Sequence, residues 1–281
     1  MLPPDNYDLH NHSTCSDGLL TPTQLIELAV RTGANPIALT DHDTVDGLAE
    51  ARAAAEMLGV RLVNGVEISV SRGETTLHIV GLNIDPASGE LAAGLRGIRE
   101  GRLERGRKIA SALDRLGIDG TFEGAHALAK NKTMLGRTHF ARHLLERGAV
   151  KNMQAAFDRY LVKGRPAYVA HEWARLEDAV AWIRAANGVA VLAHPGRYKL
   201  GRDEMRELLA SFKDMGGSAI EVVTGSHTRE HYATYRKLAV EFGLAASRGS
   251  DYHGPGESSF QPGKLPQLHE SLTPVWSLWA H

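Results

Sequence analysis

The chain has a single cysteine, Cys15, in 281 residues. No internal disulfide framework can form, and that scarcity fits a reducing compartment. Charge of either sign is also missing in excess: the formal net charge is -1 and the pI is near 6.9. There is therefore no global field to draw the chain onto nucleic acid or a membrane. No apolar run approaches the roughly 18 residues of a membrane span, and the first residues have neither the basic start nor the apolar stretch of a signal peptide. A soluble, cytoplasmic protein is expected, with no membrane partner and no obligate protein partner. Familiar catalytic signatures are lacking too. There is no Gly-x-Ser-x-Gly elbow, Walker loop or dinucleotide fingerprint. His139 and His143 are four apart, but Phe140 stands where a zinc protease places its glutamate. Thr21 occupies the arginine position of a Cys-x5-Arg loop begun at Cys15.

What is present is a globular composition, 43% hydrophobic and 23% charged, long enough for one α/β barrel or two ordinary domains. The oddity is 14 histidines, and their placement matters more than their number. Strand and helix signals alternate from the start. Tyr7 to His12 reads as a strand, and because side chains alternate across a strand, His10 and His12 leave the same face. Thr21 and Pro22 open a helix as N-cap and first residue, Leu25, Ile26, Leu28 and Ala29 give its apolar face, and Gly33 ends it. Residues 36–40 form a short apolar strand running into Asp41-His42-Asp43, residues 46–58 an alanine-rich helix, and 61–70 and 75–84 strands carrying Glu67 and His78.

From about residue 91 to about residue 165 only helical periods occur, near 91–116, 122–130, 134–147 and 152–162. This stretch reads as an inserted helical cap subdomain, 91–165, in a barrel built from 1–90 and 166–281. Alternation then resumes: helix 176–186, strand 188–193 ending in His194-Pro195, helix 203–215, strand 219–223 leading to His227, helix 229–242, and strand 244–247 leading to Asp251-Tyr252-His253. The tail is rich in Gly, Pro and Ser and is expected to wrap the body through Trp276 and Trp279. Such alternation implies parallel strands with helical crossovers, in an open doubly wound sheet or a closed barrel. The polar residues favour the barrel, because most lie at strand C-terminal ends, which converge on one mouth there.

The collected candidates are His10, His12, Asp17, His42, Glu67, His78, His194, Asp251 and His253. Imidazole and carboxylate without thiolate suit manganese, zinc or iron rather than a structural zinc site. Nine donors exceed one ion's needs and suggest two or three ions, with a carboxylate such as Glu67 bridging. Sites of this kind activate water and clamp phosphoryl oxygens.

At these residues the sequence resembles the PHP (polymerase and histidinol phosphatase) family. The motifs are Asp8-Leu9-His10-Asn11-His12-Ser13, Ser16-Asp17-Gly18, Thr40-Asp41-His42, Gly65-Val66-Glu67, His194-Pro195 and Gly249-Ser250-Asp251-Tyr252-His253, in the family's order across about residues 5–255. The resemblance implies an α/β fold, a distorted (β/α)7 TIM-like barrel, with three divalent ions, manganese foremost and zinc or iron as alternatives. It implies His10, His12, Glu67 and Asp251 at one ion, Asp17, His42 and His253 at a second, and Glu67, His78 and His194 at a third. Within the family, the insertion after His78 and the run Thr224-Gly225-Ser226-His227-Thr228 resemble small phosphatases acting on nucleoside 3',5'-bisphosphates. That implies removal of the 3'-phosphate from a substrate such as 3'-phosphoadenosine 5'-phosphate by attack of a metal-bound hydroxide. Short RNA trimmed from its 5' end, or another small monoester such as histidinol phosphate, is the alternative substrate. A metal-dependent amidohydrolase and a non-enzymatic metal and nucleotide sensor are the remaining rivals.

A second phosphate on the substrate calls for further cations. On the helix near Leu95, the positions Ile98, Arg102, Arg105, Ile109, Ala112 and Leu116 share one stripe, so two arginines interrupt an apolar face. Burying a guanidinium is costly unless it is paired, and a phosphate pairs with it bidentately. The alternative is a carboxylate such as Glu104, or an escape to solvent. Arg137, after Gly136 at a helix start, is similar. His227 either touches a phosphate or protonates the leaving oxygen, or else is structural. Arg99, Arg107, Lys108, Lys130 and Lys132 read as solvated charges. His126, His171, His231, His269 and His281 have no metal-like context and read as structural or surface residues.

Overall fold

The computed structural model describes residues 5–73 and 75–279; His281 lies outside them. The first helix, α1 (Pro22–Thr32), begins as its sequence dictates. Thr21 Oγ1 accepts from Gln24 N, Gln24 Oε1 accepts from Thr21 N, and Gly33 closes the end at φ 79°. Such a reciprocal cap satisfies two donors that a helix start leaves free. There follow β1 (Ile37–Leu39), α2 (Leu48–Leu58), β2 (Leu62–Arg72) and β3 (Thr75–Leu82). Four helices come next: α3 (Gly89–Asp114), α4 (Thr121–Leu128), α5 (Arg137–Glu146) and α6 (Met153–Ala156). The remainder is β4 (Ala174–Arg175), α7 (Leu176–Ala185), β5 (Val189–Leu192), α8 (Arg202–Asp214), β6 (Ala219–Thr224), α9 (Arg229–Phe242) and β7 (Ala245–Gly249). Among the described residues no helix is long and apolar enough to cross a membrane.

The strands form a curled seven-stranded sheet in the order β1-β2-β3-β5-β6-β7, with β4 paired to β2. Most neighbours are parallel, but β3 runs against both β2 and β5. This departs from the all-parallel arrangement that alternation implies. Only residues 73 and 74 separate β2 from β3, and a parallel return needs a crossover of a dozen residues or more. The reversal matters for the site. It pairs His78, early in β3, with Ser69, late in β2, and so brings His78 to the end of the sheet where the parallel strands finish.

The segment expected as a strand over residues 7–12 forms no continuous ladder. It makes isolated bridges to both ends of the sheet, Asp8 to Ile37 and Asn11 to Tyr252. Its backbone hydrogen bonds alternate in the same way: Asp8 N donates to Pro36 O and Thr40 N to Asn11 O, while Leu9 N donates to Arg248 O and Asp251 N to His10 O. Each partner is engaged over too few residues for a ladder. The tail covers the far side as expected, with Trp276 stacked on Tyr7 at 4.0 Å and Trp279 edge-on at 6.1 Å.

Two apolar cores lie at opposite ends of α3. Leu91, Leu95 and Ile98 join the core between the sheet and its helices. Ile109 and Leu113 join a separate core with Phe140, Leu144 and Leu161, built within the helices before β4. Arg102 and Arg105 are buried on the same helix between these groups. Leu116, expected on this stripe, lies past the helix end and is 45% exposed.

Candidate metal centre

The candidate donors converge around Glu67, which is fully buried on β2. Its Oε2 lies 3.2 Å from His10 Nε2, 3.3 Å from His12 Nε2 and 3.0 Å from His42 Nδ1. Its Oε1 lies 2.8 Å from His78 Nδ1 and 2.9 Å from His194 Nε2. Asp251 Oδ1 faces His10 and His12 Nε2 at 3.5 and 3.3 Å, and Asp17 Oδ1 faces His253 Nε2 at 3.4 Å and His42 Nε2 at 3.9 Å. Three groups have ligand atoms within 4.8 Å of one another: His10, His12, Glu67 and Asp251; His12, Asp17, His42 and His253; and His42, Glu67 and His78. The structure thus gathers the sequence candidates into one mouth. His194 touches the third group through Glu67 Oε1, with its Nε2 3.3 Å from His78 Nδ1.

These residues fit metal ions. Buried polar atoms are nearly always hydrogen-bonded, since leaving one unpaired is costly. Yet His10 Nε2, both ring nitrogens of His12, His42 Nδ1, His194 Nδ1, Asp17 Oδ1, Glu67 Oε2 and Asp251 Oδ1 are buried without a hydrogen-bond partner. All belong to this cluster, and their shared chemistry is that of nitrogen and oxygen donors to a divalent ion. Burial also holds His42 down at about 4 and His194 at about 3, so both imidazoles are neutral, the form that ligates. Burial works to raise the Glu67 pKa, but His42, His78 and His10 hold it well below the usual carboxylate range.

The arginines behave differently from one another. Arg102 pairs with the buried Asp43 carboxylate, which also accepts from Ser69 N and Oγ. Its partner is therefore neither Glu104 nor solvent. Arg105 donates to Val169 O at 3.2 Å and lies over the Trp173 ring at 5.0 Å, and Arg137 donates to Leu161 O at 3.3 Å. Among the described residues neither of these two has a carboxylate in ion-pair reach. Burial, with Arg137 and Arg102 nearby, brings Arg105 down to about 9, and burial lowers Arg137 as well.

A family model described as the PHP domain matches residues 8–225. The chain belongs to the PHP family. A relative from Chromobacterium violaceum, named 3',5'-nucleoside bisphosphate phosphatase, is 51% identical over 271 residues, 96% of this chain and 95% of the relative. A Haemophilus influenzae relative named 5'-3' exoribonuclease is 41% identical over 270 residues, 96% of this chain and 97% of the relative. Among solved structures, one from C. violaceum named as an amidohydrolase, with bound sulfate and no metal, matches at a TM-score of 0.94 and 51% identity, covering 97% of this chain and 95% of that one. Another, from Bifidobacterium adolescentis, carries a metal-dependent phosphoesterase assignment and matches at 0.81 and 27% identity, covering 99% and 96%.

Around the PHP centre stands a set of residues to which the motifs assigned no role, and two of them, Glu221 and Arg197, lie outside every motif. Glu221, in the middle of β6, accepts from His10 Nδ1 at 2.8 Å and from His194 N at 2.6 Å, and so orients one ring and one turn. Its one sequence signal is a lone carboxylate within an apolar strand. Asp41 accepts from Ser13 N, Ser13 Oγ and Ser16 Oγ at 2.6–2.7 Å, which ties down the loop carrying Asp17. Arg197 donates to Asp251 Oδ2 at 3.1 Å. A Cβ on Gly249 would fall 2.3 Å from His10 Cβ and 2.6 Å from His10 N, so only glycine lets β7 approach the segment 8–12 this closely.

His227 is a correction. It is buried, and both of its ring nitrogens are used by the backbone: Nε2 accepts from Gly196 N at 2.9 Å and Nδ1 donates to Val222 O at 3.0 Å. Neither nitrogen is free to hold a phosphate or pass a proton. Burial holds this imidazole at about 4, against an ordinary 6.5, so the unfolded chain binds the proton first as pH falls. The stability it contributes is complete above about pH 6.5 and is lost as pH drops toward 4. Between pH 7.5 and 5 this group should cost the fold about 2 kcal/mol. Urea unfolding of His227→Gln at both pH values should show a slope flatter by that amount, and a parallel slope would refute the assignment.

Proposed function

We propose that this PHP protein is a metal-dependent phosphatase that removes the 3'-phosphate of nucleoside 3',5'-bisphosphates and leaves the 5'-monophosphate. The observation that carries the reading is the pairing of two features, a buried cluster of orphaned metal donors and two guanidiniums, Arg105 buried and Arg137 half-buried, that meet no carboxylate among the described residues. The first suits a phosphoryl group undergoing transfer, and the second suits a phosphate that is only held. The relative named as a bisphosphate phosphatase supports the same substrate class.

In this reading His10, His12, Asp17, His42, Glu67, His78, His194, Asp251 and His253 hold three divalent ions, manganese foremost, with zinc or iron as alternatives. Bound ions of this kind supply an acidified water as nucleophile and neutralise charge on the phosphoryl oxygens. Glu67 lies between the donor groups and keeps them in register. Glu221 and Asp41 hold the first histidine and the Asp17 loop in place, so little reorganisation accompanies the reaction. Residues 91–165 act as a cap whose Arg105 and Arg137 grip the second phosphate, while Arg102 fastens the cap to Asp43. The bridges made by segment 8–12 would complete the distorted (β/α)7 barrel of residues 1–90 and 166–281.

The metal-loaded protein should be challenged with nucleoside 3',5'-bisphosphates, simple phosphate monoesters, short 5'-phosphorylated RNA and an amide panel. Phosphate release should be fastest from the bisphosphates, and its absence from every phosphorylated substrate would end the reading. Short RNA is the second reading, favoured by relatives named 5'-3' exoribonuclease at 38–41% identity. Losing one charged hydrogen-bond donor removes about 1.5–3 kcal/mol. Arg105→Ala and Arg137→Ala should therefore raise KM for a bisphosphate roughly 10- to 100-fold. An unchanged KM would remove that residue from the phosphate site.

A further inference from the structure

Asp17 differs from the other candidate ligands in what holds it. The others are carried by strands, by turns that follow strands, or by segment 8–12, whereas Asp17 lies in the loop before α1. Two side chains of α5, more than a hundred residues later, fasten it. Thr138 Oγ1 donates to Asp17 Oδ2 at 2.9 Å, and Arg142 Nη2 donates to the Asp17 backbone oxygen at 2.6 Å. Four residues apart on a helix, these two share one face. Arg142 is itself fixed by a bidentate pair with Glu257, at 2.8 and 2.7 Å, in the segment just after His253. That segment is tied back by His253 N donating to Ser258 Oγ at 2.7 Å.

The consequence falls on one oxygen. The terminal torsion of an aspartate is broad and roughly two-fold, so a loop carboxylate does not choose which oxygen it presents. With Oδ2 occupied by Thr138, Oδ1 alone faces His253 Nε2, His42 Nε2 and His12 Nδ1, and it has no hydrogen-bond partner. A buried acceptor kept free in this way is aimed at something other than protein.

We infer that Thr138 and Arg142 are positioning residues that complete the ion site of His12, Asp17, His42 and His253 from outside the sheet. The helical insertion thereby sets ion occupancy at the centre, in addition to gripping substrate with Arg137 on the same helix. This rests on the ligand reading above, and it assigns the insertion a role separable from substrate affinity.

The test compares ion content by elemental analysis, after dialysis against graded free Mn2+, for the wild type, Thr138→Val, Thr138→Ser, Arg142→Lys and Asp17→Asn. Loss of a residue that orients a ligand typically weakens an ion site by roughly 10- to 100-fold. Thr138→Val and Arg142→Lys should each need that much more free ion to regain one equivalent, with KM for the bisphosphate unchanged once ion is saturating. Thr138→Ser, which keeps the hydroxyl, should follow the wild type. If Asp17→Asn loses an equivalent while Thr138→Val and Arg142→Lys titrate as wild type, the inference fails and the ligand reading stands. If Asp17→Asn itself keeps every ion, both fall.

Discussion

Glu67→Gln should empty the centre and reduce kcat/KM by about 10³-fold or more, the scale on which loss of one preorganised charge-stabilising group is felt. Five imidazole nitrogens lie within 3.3 Å of the two Glu67 oxygens, and among the described residues no other carboxylate reaches more than part of that set. An amide presents one weakly donating oxygen and one NH2 group, so it can serve one side of the cluster only. Its NH2 would also point a donor at ring nitrogens that ligate only as acceptors. The variant should retain its fold, because glutamine fills the same fully buried volume. Elemental analysis alongside phosphate-release kinetics gives the check. A variant that keeps its ions and works within tenfold of the wild type would show that Glu67 does not join the donor groups.

Chelation should lower the melting temperature by about 8 °C or more, and Mn2+, Zn2+ or Fe2+ should restore it. Ligands that bind only the folded state stabilise it by mass action, about 4 kcal/mol at a thousandfold excess over Kd. For a chain of this size each kcal/mol moves the midpoint by about 2–4 °C. The effect has a specific origin here. Without ions, the eight unpaired buried atoms of Glu67, Asp17, Asp251, His10, His12, His42 and His194 have no partner to replace the water they lost. Differential scanning calorimetry with chelator, and then with each ion in turn, would measure it. A melting temperature indifferent to both would count against a metal centre, whatever the arrangement of donors.

Much of this was legible from local pattern. Thr21-Pro22 and Gly33 bound α1 as written, because capping involves residues three or four apart. The helical periods of 91–147 returned as α3 to α5, whereas of 152–162 only Met153–Ala156 is α-helix and Phe157–Leu161 widens into a π-turn; the polar residues at strand ends met at one mouth because parallel strands finish together. His78 falls early in its strand, and the antiparallel run of β3 is what carries it to the same end of the sheet. The departures share a cause. Asp43 and Arg102 are 59 positions apart, and Arg142 lies 125 positions from Asp17, so no periodicity reports either contact. His227 stood where a functional histidine would stand, and only the approach of Gly196 showed its second nitrogen to be taken.

The order of residues alone was enough to set which chemistry this chain carries. Imidazoles and carboxylates without thiolates at strand ends call for hard or borderline divalent ions, and ligand type is a property of the residue itself. Tertiary structure decided which charges were free. Arg102, Arg105 and Arg137 read alike along the chain, yet one is neutralised by Asp43 while the other two meet no carboxylate among the described residues. Whether a buried guanidinium is satisfied depends on what the fold places within a few ångströms of it, and that distance is absent from any linear pattern.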